Sequence, residues 1–151
     1  MTKKLWGNAC WYLFHTLAFR LNDKHKKEIP NILKHFSNLC SNLPCPSCTN
    51  HATYLMKTLN KENVNNRDTL IKMLLEFHNK VNKNIGKPIF TRKQHDEMYK
   101  NANLKKILKN FHNVMKLNLG QTRAMVYTLS RRRCIDSICK YVINNMHIFS
   151  H

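Results

Sequence analysis

The amino-acid sequence predicts an all-α fold. Apolar residues recur at steps of three and four in several segments, and no segment shows the clear period-two alternation of a strand. The 151 residues include only three glycines and four prolines, too few for an all-β chain with its many turns. Because short connections join the predicted helices, we expect a four-helix bundle with a short fifth helix and a C-terminal helical extension.

The first three predicted helices follow from apolar stripes and breaker residues. Residues 3–21 form the first helix, in which Trp11, Phe14 and Ala18 share one face. After a polar connection at 22–27, the second helix runs to about Asn42. Two prolines interrupt the chain there, and the third helix runs from them to about residue 59.

Start and stop signals delimit the fourth helix. Asn66 or Asp68 is suited to cap its N-terminus. We expect the helix to end near Asn84, because Gly86 and then Pro88 follow in the usual order for a helix end.

Three further helical stretches complete the chain. Thr91 and Gln94 resemble a capping box for a short helix through Tyr99. Beyond it, apolar spacing predicts one helix over residues 104–115 and a last one over residues 122–148.

The length and composition fit one domain with an extension, which we place at residues 1–100 and 101–151. The hydrophobic content of 42% is enough for a core. No run approaches the ~18 apolar residues of a membrane-spanning helix. The N-terminal stretch lacks a small-residue cleavage site, so we expect no secretion signal.

The net charge of +18 has two interpretations. It could mark an anionic partner such as nucleic acid, or it could reflect a composition rich in lysine and asparagine. The lysines are scattered, and only Arg131–Arg133 forms a tight run, so we favour composition and do not expect nucleic-acid binding.

Cys45 and Cys48 lie three residues apart at a predicted helix start. Pro46 suits the first helical turn, because its missing N–H costs nothing there. Residues three apart in an ideal helix have Cα atoms about 5 Å apart, within the range for a disulfide. A helix N-terminus also favours a thiolate. The pair is therefore predicted to be a redox dithiol that opens and closes.

Spacing alone leaves two other interpretations of these cysteines open. Cys40, Cys45, Cys48 and His51 have the ligand types of a zinc site in a basic binding module, nucleic-acid binders included. Such a site needs a tight reversal, because Cys40 precedes Pro44 and the other three follow it. The pair could also be structural thiols with no further role.

The end of the fourth helix carries a second candidate site. His78 and Asn82 are four apart and share a face, Asn79 lies beside them, and Lys87 follows the helix. Aromatic, amide and cationic groups in one strip suit a nucleotide with a ring and phosphates. The alternative is a solvated polar face.

These motifs follow one another in a recognisable order. The sequence contains Trp6-Gly7, Trp11 and His15, then Leu43-Pro44-Cys45-Pro46-Ser47-Cys48 with His51-Ala52, then His78-Asn79-x-Val81-Asn82-x-x-Ile85-Gly86-Lys87-Pro88. In order and spacing they resemble the Erv/ALR family of FAD-linked sulfhydryl oxidases, over roughly residues 5–100. The similarity is greatest to members from poxviruses and other large DNA viruses.

The resemblance implies a role for each matched residue. Cys48 would lie against the flavin and pass electrons to it, and Cys45 would exchange with the incoming dithiol. Asn8 stands where many cellular members have arginine. The remaining matched residues would bind FAD: Gly7, Trp11 and His15 at the flavin, His78, Asn79, Val81 and Asn82 at the adenine and ribose, Lys87 near the phosphates, and Tyr99 near the cofactor.

The resemblance also implies the reaction and the partners. The family fold is a four-helix bundle that holds FAD and usually forms a homodimer. Its members oxidise thiols in partner proteins, a thioredoxin-like carrier being one candidate here, and O2 takes the electrons to give H2O2. A virus-like member would work in the host cytoplasm or in the virion.

Four further cysteines lie outside these motifs. Antiparallel packing of the first two helices could bring Cys10 near Cys40, and whether they are bridged is left open. On an unbroken helix, Cys134 and Cys139 would have Cα atoms roughly 8–9 Å apart, beyond the disulfide range.

Cys134 and Cys139 are therefore either reduced core thiols or a disulfide on a helix that breaks between them. The adjacent Arg131–Arg133 would lower the pKa of a nearby thiol and favour exchange. We hypothesise that the pair is a shuttle that passes electrons to Cys45 and Cys48, across a dimer or within one chain.

Overall fold

A computed structural model describes residues 3–117 and 125–151, with no account of the side chains at 125–128. Within these residues the chain forms seven α-helices and no strand, which confirms the all-α prediction. The helices are α1 Lys3–Arg20, α2 Ile29–Cys40, α3 Pro46–Thr58, α4 Arg67–Asn84, α5 Arg92–Tyr99, α6 Leu104–Leu117 and α7 Met125–Asn144.

Helix α1 is the centre of the fold. Every residue from Leu13 to Ala18 is buried, and six consecutive residues of an α-helix point in all directions around its axis. Neighbouring helices must therefore cover α1 on every side. It packs against α4, α5 and α6.

The remaining helices pair around this centre. Helix α2 packs against α3 and α7, α3 packs against α4, and α6 packs against α7. Buried side chains from Trp6 to Phe149 belong to one hydrophobic cluster. The C-terminal helices thus share the core of the bundle formed by α1 to α4.

Capping groups place the ends of α4 and α5 where the sequence predicts them. Asn66 caps α4, and its side chain accepts from the Thr69 backbone N–H at 2.9 Å. Gly86 follows α4 with φ of +73°, the only positive φ among the described residues. Thr91 and Gln94 form the predicted capping box of α5.

The structure differs from the prediction at two connections. The predicted polar link contains a 3-10 helix at Asp23–Glu28. The last α-helix ends at Asn144, not at 148, and a 3-10 turn covers Met146–Phe149. The Asn145 side chain donates to the Tyr141 carbonyl at 2.8 Å, where a continuing helix would place a backbone N–H. The predicted start at residue 122 lies outside the described residues.

Candidate active site

The start of α3 presents the cysteine pair as the sequence predicts. Cys45 has an extended backbone and is the N-cap residue, and its Sγ accepts from the Cys48 N–H at 3.3 Å. Pro46 occupies the first turn, where no N–H is needed. Cys45 and Cys48 form a disulfide with a Cα–Cα distance of 5.2 Å. Both residues are half-buried.

A large cavity opens beside this disulfide. It has a volume of about 980 Å³ and is lined by α1 to α5 and the segment after α4, at the upper end of the size range of ligand pockets. Cys48 lines the cavity and Cys45 does not. The cavity wall also contains every residue predicted to bind cofactor except Asn79, namely Gly7, Trp11, His15, His78, Val81, Asn82, Lys87 and Tyr99.

Stacked rings form one wall of this cavity. The Trp11 and His78 rings have centroids 3.9 Å apart and planes 9° apart. The His15 ring stacks next to His78 at 5.2 Å. Since planar groups pack on planar groups, this wall suits an aromatic ligand.

Three histidines that line the cavity are hydrogen-bonded in series. His78 Nδ1 lies 3.0 Å from His15 Nε2, and His15 Nδ1 lies 3.1 Å from His95 Nε2. His95 Nδ1 is 2.9 Å from Asp96 Oδ1. Sequence reasoning missed His95. It lies four residues before Tyr99 on α5, and that spacing puts both on the face turned to α1.

The surroundings keep these histidines neutral near pH 7. Burial, together with His95 and Lys87, lowers the pKa of His78 to about 4. Burial, together with His78 and His95, lowers the pKa of His15 well below its usual range. Burial also lowers the pKa of His95, although Asp96 opposes the shift.

Asn79 and Asn82 hold the segment that follows α4. Asn79 donates from Nδ2 to the Phe90 carbonyl at 2.8 Å and accepts from the Phe90 N–H at 2.9 Å. Asn82 donates to the Pro88 carbonyl at 3.1 Å. The two amides therefore fix the chain on which Lys87 stands.

More lysines line the cavity than the sequence indicates. Lys3 and Lys4 on α1 line the cavity together with Lys87. Three lysines among the lining residues of a mostly apolar cavity suit a ligand that carries phosphates.

The proposed zinc ligands do not converge. Among the residues that the structure describes, no three histidine, cysteine or acidic side chains are arranged to hold a metal ion. Cys45 and Cys48 are bonded to each other, His51 is hydrogen-bonded to Asn84 at 2.8 Å, and Cys40 is a free, buried thiol.

The structure answers whether Cys10 and Cys40 are bridged, which the sequence leaves open. Both are free and buried, and the Cys10 Sγ donates to the Met115 Sδ at 3.8 Å. Burial raises the pKa of Cys40 to about 12. Both therefore pack as apolar core groups.

Cys134 and Cys139 are also free thiols, on a helix that does not break between them. The prediction that the arginines lower the pKa of Cys134 is wrong, because burial raises this pKa to about 12. Arg131 is buried and donates to the Asn42 carbonyl at 3.2 Å, while Arg132 and Arg133 are exposed.

The fold and site define a class of protein: a helical bundle with a disulfide-bonded C-x-x-C pair beside a ligand-sized cavity. The model of the Erv1/Alr family matches residues 8–100. The chain belongs to this family.

Named relatives agree with this membership. The chain is 32% identical to the FAD-linked sulfhydryl oxidase of African swine fever virus (isolate Pig/Kenya/KEN-50/1950), over 68% of this chain and 86% of the viral protein. It is 33% identical to a putative FAD-linked sulfhydryl oxidase of Invertebrate iridescent virus 3, over 56% and 59% of the two chains. It is 31% identical to FAD-linked sulfhydryl oxidase ERV1 of Oryza sativa subsp. japonica, over 60% and 46%.

No solved structure matches the chain. No helix within the described residues has the length and apolar character needed to cross a membrane.

Proposed function

We propose that this protein is an FAD-dependent thiol oxidase that forms disulfide bonds in partner proteins. The observation that supports this most directly is the position of the Cys45–Cys48 disulfide. Cys48 lines a cavity whose wall contains the residues matched to the family's FAD site, and Cys45 lies outside that wall. The names of the viral and plant relatives give the same activity.

The residues of the cavity fit FAD. The stacked Trp11 and His78 offer a flat aromatic wall for a ring system, and Lys3, Lys4 and Lys87 offer cations for a pyrophosphate. Asn79 and Asn82 act by holding the segment that carries Lys87. Bound FAD would supply a two-electron acceptor for the cysteine pair, with O2 as the final acceptor and H2O2 as the product.

The cysteine pair performs the exchange with substrate. A substrate thiolate attacks Cys45 Sγ, which forms a mixed disulfide and releases Cys48 as a thiolate. A second substrate thiolate attacks the substrate sulfur of this bond, which releases the substrate disulfide and leaves Cys45 reduced. The two electrons taken from the substrate then reside on the reduced pair. The N-terminus of α3 stabilises the thiolates formed there.

The partners follow from this chemistry. Dithiols in proteins are the substrates, and a thioredoxin-like carrier is one candidate. The viral relatives support a place in the cytoplasm of an infected cell or in the virion. The homodimer implied by the resemblance is a prediction that light scattering coupled to size exclusion would check.

A spectrum and two variants test the proposal. The purified protein should be yellow and show the absorbance of oxidised flavin. Cys45→Ser and Cys48→Ser should each abolish oxidation of dithiothreitol while FAD remains bound, because exchange needs one sulfur to attack and one to resolve. Dithiothreitol oxidation near the wild-type rate in either variant would falsify the assignment.

The variant with both Cys134→Ser and Cys139→Ser is the matched control. It should oxidise dithiothreitol at the wild-type rate, because both thiols lie outside the cavity lined by Cys48. If the shuttle hypothesis is right, the same variant should oxidise a protein dithiol more slowly. Unchanged turnover of the protein substrate would show that this pair only packs the core.

A further inference from the structure

The histidine series has a single consistent direction of hydrogen bonding. An ionised carboxylate can only accept, so His95 must donate to Asp96 from Nδ1. A neutral imidazole has one N–H, which leaves His95 Nε2 as an acceptor for the Nδ1–H of His15. By the same reasoning, His15 Nε2 accepts from the Nδ1–H of His78.

The carboxylate that sets this direction is held ionised from outside the cavity. Arg92 donates from Nε to both Asp96 oxygens, at 3.0 and 3.1 Å, and from Nη1 to Asp68 at 2.8 Å. Partial burial alone would raise the pKa of Asp96, but hydrogen bonds from His95 and Arg92 lower it. Asp96, at the end of the series away from His78, is therefore held as an ionised carboxylate that accepts hydrogen bonds.

All three histidines line the cavity, and His78 is the end of the series opposite Asp96. His78 lines the cavity and stacks on Trp11. Its Nδ1 is committed to His15, and its Nε2 has no partner within the part of the chain that the structure describes. A neutral His78 that donates from Nδ1 has a bare Nε2, which can only accept.

We propose that Asp96, acting through His95 and His15, fixes the tautomer of His78 so that its bare Nε2 accepts a hydrogen bond from an N–H or O–H of the cavity's occupant. Asp96 and His95 are thus positioning residues. The inference rests on the proposed function in naming FAD as that occupant. The tautomer itself is a property of the protein alone.

The test compares two carboxylates that share one arginine. Asp96→Asn introduces an amide that can donate to His95 as well as accept from it, so the whole series can reverse and leave His78 with an Nε2–H. Asp68→Asn is the matched control, because Asp68 binds Arg92 at 2.8 Å but makes no hydrogen bond to the histidines. Asp96 and Asp68 side chains are 39% and 53% exposed, so neither change disturbs the core.

The first readout is the nitrogen spectrum of the FAD-free, 15N-labelled protein, with the His78 signals identified by their loss in His78→Phe. Wild type and Asp68→Asn should show an unprotonated His78 Nε2, and Asp96→Asn should show a protonated or exchanging one. A protonated Nε2 in wild type, an unchanged tautomer in Asp96→Asn, or a shift in Asp68→Asn would overturn the proposal. The wild-type spectrum decides the direction even if a variant fails to fold.

The second readout is FAD affinity, measured by the quenching of flavin fluorescence on titration. Asp96→Asn should raise the Kd about five- to ten-fold, which is the loss expected for one hydrogen bond, and Asp68→Asn should leave it unchanged. An unchanged Kd in Asp96→Asn would overturn the acceptor role of His78. A wild-type protein that binds no FAD would contradict the proposed function, while the nitrogen spectrum would still decide the tautomer.

Discussion

Two glycines near the site, Gly7 and Gly86, have different backbone conformations. Gly7 lies in the interior of α1 and at the cavity wall, and a Cβ added there would meet nothing within 4 Å. Gly86 ends α4 with φ of +73°, a conformation that costs other residues roughly 1–2 kcal/mol. The first glycine adds no side chain at the cavity wall, and the second permits a turn.

Gly7→Ala should therefore separate stability from cofactor binding. The free energy of unfolding of the FAD-free protein should rise by up to about 1 kcal/mol, because alanine is the better helix former. FAD affinity should fall, because Gly7 lines the cavity and the added methyl group would occupy open space there. Urea denaturation and fluorescence titration measure the two effects.

Gly86→Ala is the matched control for this variant. It should lower the free energy of unfolding by roughly 1–2 kcal/mol through backbone strain alone. A Gly7→Ala protein that loses stability and keeps its FAD affinity would contradict the assignment of Gly7 to the cavity wall.

Local signals allow individual residues to be predicted from sequence. Cys45 and Pro46 mark a helix start, and Thr91 with Gln94 forms the expected capping box, because such motifs depend on neighbours within one turn. The place of His95 in the histidine series could not be predicted, because its partner His15 is 80 residues away. The burial of Arg131 could not be predicted either, because it depends on a contact with Asn42, which follows α2.

At the scale of elements, α6 completes the environment of α1. The apolar spacing of residues 104–115 predicts which face of this helix is buried, but periodicity does not say which element covers that face. In the structure α6 packs on α1. The C-terminal segment therefore contributes directly to the helix that carries Trp11 and His15.

Phe111→Ala should destabilise the whole protein for this reason. Phe111 is fully buried on α6, and truncation of a buried phenylalanine costs about 3–5 kcal/mol. Asn113→Ala, an exposed change on the same helix, is the control and should have little effect. Far-UV circular dichroism and the fluorescence of Trp6 and Trp11 should report one coincident transition in urea. Loss of helix in Phe111→Ala with an unchanged tryptophan signal would show that α6 folds apart from α1.

At the scale of the whole molecule, stability should depend on pH through the buried histidines. An ordinary histidine in the unfolded chain takes up its proton near pH 6.5, whereas the pKa of His78 in the fold is about 4. Between these values the unfolded chain binds more protons than the folded chain. Stability is therefore complete above pH 6.5 and is lost as the pH falls towards 4.

The urea midpoint at pH 7.5 and at pH 5 would measure this loss, and His78→Phe should reduce the difference. Repulsion among the charges of a protein with net charge +18 also lowers stability as the pH falls. About 1 M salt shortens the Debye length to about 3 Å and screens that repulsion, so the contribution of buried histidines should persist there. A urea midpoint that is independent of pH would contradict the neutral state of the histidines.

The burial of α1 on every side has a consequence for hydrogen exchange. No backbone amide between Leu13 and Ala18 belongs to an exposed residue, and α4, α5 and α6 enclose the helix. These amides should exchange with deuterium only when the entire chain opens, and at the slowest rates in the molecule. His15 therefore belongs to the segment that stays closed longest. The Cys45–Cys48 disulfide lies at a half-buried helix start, where the proposed exchange with substrate thiols would need no opening of the core.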